Sequence, residues 1–119
     1  MAVVNDVPRL VDKNGGSYYA IALKLESGKF NKWKKRMLCY LAGMEPYYIK
    51  CIKDGPFQPK IADGDVKLES QWTADERRVV VQDQLLKSII MSCLPDDIME
   101  SVISCVSAKE TWNNLKGTE

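Results

Sequence analysis

Residues 73–95 read TADERRVVVQDQLLKSIIMSCLP, and this stretch decides the fold class. Thr73 and Glu76 stand three apart just ahead of an apolar run. That is a capping box, in which the Thr hydroxyl and the Glu carboxylate each take an orphan backbone donor of a helix start. Val79, Leu86, Ile90 and Cys93 then fall on one helical stripe, and Val81, Leu85 and Ile89 on a neighbouring one. An apolar face this wide predicts a helix over 73–94 that is covered on more than one side and forms the hub of a bundle. Pro95 suits the first position of a following helix, where its missing N–H is no loss. Asp96 and Asp97 then sit at the positive end of that helix. Its predicted span is 95–106, with Ile98, Met99, Val102, Ile103 and Val106 inward. Ser107-Ala108-Lys109-Glu110 reads as a second capping box for a helix over 108–116, where Ala108, Trp112 and Leu115 recur at helical spacing.

Upstream, residues 54–71 hold Pro56 and Pro59, which forbid a helix at the start of this stretch. They form a long, partly ordered surface connection, and Asp63-Gly64 between Ile61 and Val66 suits a small hairpin. Residues 29–43 are predicted as a helix, because Phe30, Trp33, Met37, Leu38 and Leu41 repeat at steps of three and four. Ser27 is its expected cap and Gly43 its expected end, with Pro46 beyond. A short helix over 46–53 follows, with Tyr47, Ile49 and Ile52 partly buried. Residues 1–16 carry Pro8 and Asn14-Gly15-Gly16 and read as a mobile tail, and residues 18–25 as an extended segment on the domain. The expected architecture is all-α, with four or five helices, an arm over 1–22 and a helical domain over 23–119.

A chain of 119 residues with 45% apolar content is one domain with a core of its own. It has no histidine, which removes Ser-His-Asp and Cys-His catalysis and the CCHC zinc knuckle from this stretch. Cys39, Cys51, Cys93 and Cys105 lack C-x-x-C spacing and sit among apolar residues, so reduced, buried thiols are expected. Together with the lack of signal-peptide character and of a long apolar run, this gives an expected cytoplasmic location. Net charge is +1, yet residues 1–60 hold 11 Lys/Arg against 5 Asp/Glu, whereas residues 61–119 hold 6 against 11. Helix-end preferences explain part of this split. Opposite poles suited to head-to-tail self-association are the other reading.

No catalytic constellation stands out. Asp75-Glu76 and Asp96-Asp97 are helix-start acids. Asp63-Gly64-Asp65 lacks the spaced ligands of a calcium loop, and no glycine-rich phosphate loop occurs. No enzyme activity, cofactor or metal is expected. Lys29, Lys32, Lys35 and Arg36 share one side of the first helix. They are either a solvated face or a phosphate-contacting surface for RNA without base specificity. The tryptophans, Trp33, Trp72 and Trp112, are expected as core anchors. In each of the pairs Tyr18-Tyr19 and Tyr47-Tyr48, one ring is expected to pack and the other to face outward as a self-association contact.

Two stretches resemble a known family. Residues 24–37, KLESGKFNKWKKRM, are similar to the opening of copia-type LTR-retrotransposon Gag, with its K-L-x-G-x-N-(F/Y)-x-x-W-x-x-x-M pattern, although Phe30-Asn31 depart from it in order and by one position. Residues 107–115, SAKETWNNL, resemble that family's T-A-x-x-x-W-x-x-L helix. The matching positions are Lys24, Leu25, Trp33, Met37, Ala108, Trp112 and Leu115, and Trp72 before a long apolar helix also fits. The resemblance implies a capsid-like Gag bundle whose matching residues determine the fold. It implies a structural protein that self-associates into virus-like particles enclosing RNA, with itself as principal partner and neither membrane nor small-molecule substrate. A domesticated Gag-derived module binding a host protein or peptide is the alternative, as is an RNA-contacting domain.

Overall fold

The capping box of Thr73 and Glu76 forms as the sequence dictates. The Thr73 hydroxyl accepts from the Glu76 N–H at 3.0 Å, and the Glu76 carboxylate accepts from the Thr73 N–H at 2.8 Å. This comes from a computed structural model, which describes residues 7, 8, 10, 24–26 and 28–115. Five α-helices occur among them: α1 Phe30–Met44, α2 Tyr47–Asp54, α3 Ala74–Ser92, α4 Asp96–Val102 and α5 Ala108–Asn114. A 3-10 turn, Glu69–Gln71, precedes α3, and the sole β pairing among the described residues is one antiparallel bridge, Lys60 to Val66. The fold is all-α.

Helix α1 buries Phe30, Trp33, Met37 and Leu41, the stripe that its periodicity predicts. Its ends differ from expectation. Ser27 lies outside the described residues, and the N-cap is Lys29, with no side-chain cap. The helix runs through Gly43 to Met44 and stops because Glu45 precedes a proline, which pushes it into extended backbone at ψ 102°. The Glu45 carboxylate then accepts from the Tyr47 N–H at 3.2 Å, opening α2 one turn later. Gly55 closes α2 at φ +92°, a conformation that disfavours any side chain.

The packing centre is a surprise. Helix α2, only 8 residues long, packs closely against α1, α3 and α5, while α3 packs closely against α2 and α5. The hub expected at 73–94 is therefore shared, and the short helix is the most enclosed element. The core gathers Leu25, Trp33, Met37, Leu41, Cys51, Val79, Leu86, Ile90, Val102, Ala108, Trp112 and Leu115. Leu25 is held by its N–H donating to the Cys93 carbonyl at 2.8 Å. From the segment expected as a mobile tail, Val7 and Leu10 are half-buried against the core.

The connection 54–71 is ordered by local bonds. Gly64 turns at φ +90°, Ile61 N–H donates to the Asp65 carbonyl, and Lys67 N–H donates to that of Pro59. The expected hairpin thus exists as a single bridge. Lys67 Nζ reaches the Glu76 carboxylate at 2.8 Å, and Trp72 Nε1 donates to the Lys67 carbonyl at 3.3 Å. The guanidinium of Arg77 lies 5.5 Å over the Trp72 ring. Trp72 is only half-buried, so it clamps the loop instead of anchoring the core.

Helix α4 is shorter than the predicted 95–106. Pro95 is its N-cap in extended backbone, and the helix ends at Val102. Cys105 turns inward through a Cys105 N–H bond to the Val102 carbonyl, which leaves Ile103 and Val106 outside at 55% and 75% exposure. The second capping box is half formed. The Ser107 hydroxyl accepts from Glu110 N–H, but the Glu110 carboxylate takes the Val106 N–H and not that of Ser107.

Candidate functional site

Lys32, Lys35 and Arg36 lie exposed on the arc of α1 opposite Phe30, Trp33, Met37 and Leu41, and Lys29, the N-cap, is exposed at the start of the helix. The structure thus brings three of the four predicted cations together on one outward face, with Lys29 preceding it. Lys29 stands 3.7 Å from the carboxylate of Glu26, whereas Lys32, Lys35 and Arg36 make no ion pair among the described residues. Lys34 leaves the set and turns inward. Its ammonium lies 5.2 Å from the centroids of both the Phe30 and the Trp112 rings. Cys39, expected to be buried, is exposed on the same outward face. Cys51, Cys93 and Cys105 are buried, as expected.

The tyrosine expectation fails at α2. Tyr47 and Tyr48 are both buried, at 7% and 8% exposure, because both fall on the wide side of α2 that packs against three helices, while Lys50, Lys53 and Asp54 hold its outward side. Neither is available for self-association. Tyr18 and Tyr19 lie outside the described residues.

Of the family-like positions, Leu25, Trp33, Met37, Ala108, Trp112 and Leu115 meet in the core, while Trp72 and Lys24 do not. Trp33 of α1 and Trp112 of α5 stack with ring centroids 5.8 Å apart and planes at 28°. Met37 and Ala108 are fully buried, and Leu25 and Leu115 are buried beside them. Lys24 is exposed.

One buried polar centre escaped the sequence reading. Asp83, in the middle of α3, is 2% exposed, and both its oxygens accept from the Ala108 N–H at 3.2 and 3.4 Å. It fixes the start of α5 from 25 residues away. Burial pushes its carboxyl above the usual range, opposed by the Ala108 bond and the Lys87 charge. Tyr47 and Cys51 lie close enough to feel it. Burial, helped by Asp83, pushes the Cys51 thiol up to about 12, and burial also raises Tyr47. The thiol therefore stays protonated and is no nucleophile. A helix-interior aspartate facing apolar neighbours was the available signal. Its partner, a backbone N–H, leaves no trace in a sequence.

A raised folded-state pKa means that protonation favours the fold. The associated stability is present below the unfolded pKa and is lost as pH rises through the folded one. Asp83→Asn keeps an acceptor for Ala108 and removes the buried charge, so it should match or exceed wild type at neutral pH, with the difference shrinking in acid. Asp83→Ala orphans a buried N–H and should lose about 1–3 kcal/mol. Urea unfolding across pH checks both.

A further set of side chains concerns the outer side of α3. Val81 and Leu85, expected to be covered, are 45% and 49% exposed. Gln84, between them, donates from Nε2 to the Val106 carbonyl at 3.1 Å, so exposed Val106 adjoins that face. Among the described residues no group of three or more Cys, Asp or Glu side chains is placed to hold a metal ion, and no helix is long and apolar enough to cross a membrane. Comparison with family models, curated proteins and solved structures finds no match.

Proposed function

We propose that this chain is a structural, capsid-like domain of the copia-type Gag class that works by self-association into particles enclosing RNA. The observation that carries the reading is the Trp33–Trp112 stack. The two stretches that resemble Gag, far apart in sequence, supply the two halves of one aromatic contact at the centre of an all-α bundle. Such motifs are expected to co-occur when they specify one core. The exposed apolar side chains of α3 and of the α4–α5 connection support an associating role, because contiguous apolar surface marks interaction sites. Weak contacts of this kind gain strength by repetition in a lattice.

A second reading, contact with RNA, draws on the outward cations of α1. One experiment addresses both. Negative-stain electron microscopy of concentrated protein, with and without added RNA, should show curved or closed assemblies of regular size. Assemblies that appear only with RNA, and vanish in Lys32→Glu/Arg36→Glu, would give the cations the leading role. A field of single domains under both conditions would overturn the self-associating reading.

A further inference from the structure

Two surfaces of this chain are complementary to each other and, among the described residues, not engaged with one another. The first is apolar with an acidic edge. Val81 and Leu85 project from the outer side of α3, and the bond from Gln84 to the Val106 carbonyl brings exposed Val106 alongside. Ile103 adds a fourth exposed apolar side chain in the same α4–α5 connection. Glu110 lies at this edge, since its carboxylate accepts from the Val106 N–H at 3.3 Å, and Glu100 precedes Ile103 by one helical turn. The nearby cations Arg77 and Arg78 are already paired, with Glu69 and Asp75. Glu100 and Glu110 make no ion pair among the described residues.

The second surface is the outward face of α1. Lys32, Lys35 and Arg36 likewise make no ion pair among the described residues. Beyond them the face narrows to Cys39, Ala42 and Gly43, all exposed. A Cβ added at Gly43 would meet nothing within 4 Å, so packing inside the chain does not call for glycine there. Small side chains at the end of a basic face allow close approach by a bulky apolar surface.

We propose that the outward face of α1 in one copy docks on the Val81–Leu85–Val106 surface of the next, with Lys35 and Arg36 meeting Glu100 and Glu110. The contact is heterologous. Each copy offers one donor face and one acceptor face, which permits chains and rings. The occupant is a second copy because the charges missing at each surface are those carried by the other. The proposal rests on the self-association reading above and assigns its contact.

The test is complementation. Leu85→Asp/Val106→Asp removes the acceptor face, and Lys35→Glu/Arg36→Glu reverses the donor face. All four positions are exposed, and Leu85→Ser serves as a milder variant should the double change disturb folding; circular dichroism checks each. Sedimentation equilibrium should show each variant alone associating at least tenfold more weakly than wild type. Mixed in equal amounts, the two should form a discrete complex of two copies and nothing larger, since each retains one working face. Variants that associate like wild type would overturn the proposal while leaving self-association intact, and so would a mixture that stays monomeric. Loss of RNA retention alone in Lys35→Glu/Arg36→Glu, with an unchanged mass curve, would make α1 a nucleic-acid surface and also overturn it. A wild-type chain that never associates would remove both this contact and the function proposed above.

Discussion

Trp112→Ala is expected to lower the stability of the domain by about 3–5 kcal/mol, the usual loss for truncating a buried tryptophan. Trp112 is 6% exposed and stacks on Trp33, with the Lys34 ammonium over its ring. Truncation removes the contact joining α1 to α5 and leaves a cavity that two helices cannot both collapse into. A domain of this size is stable by about 5–15 kcal/mol, so the variant should unfold near ambient temperature or far earlier in urea than wild type. Trp33→Ala should act similarly. A double-mutant cycle should return a coupling of about 0.5–1.5 kcal/mol for the stacked pair, beyond what simple burial gives. Additive losses would mean that the rings only fill space and do not specify each other.

Glu76→Ala should give the second large loss, about 2–4 kcal/mol, between the cost of a lost cap and that of a broken buried pair. The Glu76 carboxylate accepts from Lys67 Nζ and from the Thr73 N–H, both at 2.8 Å, and is almost wholly buried. One side chain thus caps α3 and ties down the end of the 54–71 connection. The Lys67 hydrogen bond, followed by that from Thr73, holds this carboxyl below its usual range. A depressed folded-state pKa means that the stability is present above the unfolded pKa and is lost as pH falls through the folded one. Wild type should therefore converge on Glu76→Gln in strong acid and exceed it at neutral pH. Gln still completes a capping box but leaves Lys67 uncompensated. Proteolysis within residues 56–68 should accelerate in Glu76→Ala, because the loop loses its latch.

These two sites differ in how far they could be read from the chain. The box of Thr73 and Glu76 was legible because both partners lie within one helical turn, and local spacing encodes it. The same holds for the stripe Phe30, Trp33, Met37 and Leu41. The Lys67 partner was not legible, since the loop path that returns it to Glu76 depends on the bridge from Lys60 to Val66. Periodicity also misled where it counted apolar residues without knowing what covers them. Val81, Leu85, Ile103 and Val106 all read as inward, yet this chain leaves them exposed. Tyr47 and Tyr48 erred in the other direction, because a two-turn helix enclosed by α1, α3 and α5 buries adjacent residues. Asp83 was silent because its partner is a main-chain group. The basic face of α1 was legible residue by residue, since each of its cations lies opposite an apolar stripe on the same helix.

The central claim is that this bundle associates with itself. Light scattering coupled to size exclusion, run across a concentration series at moderate salt, tests it most directly. A self-associating bundle gives a mass that climbs with concentration above the 13.5 kDa of a single copy, and that falls back as salt weakens the charged part of the contact. A constant 13.5 kDa species at every concentration would contradict it.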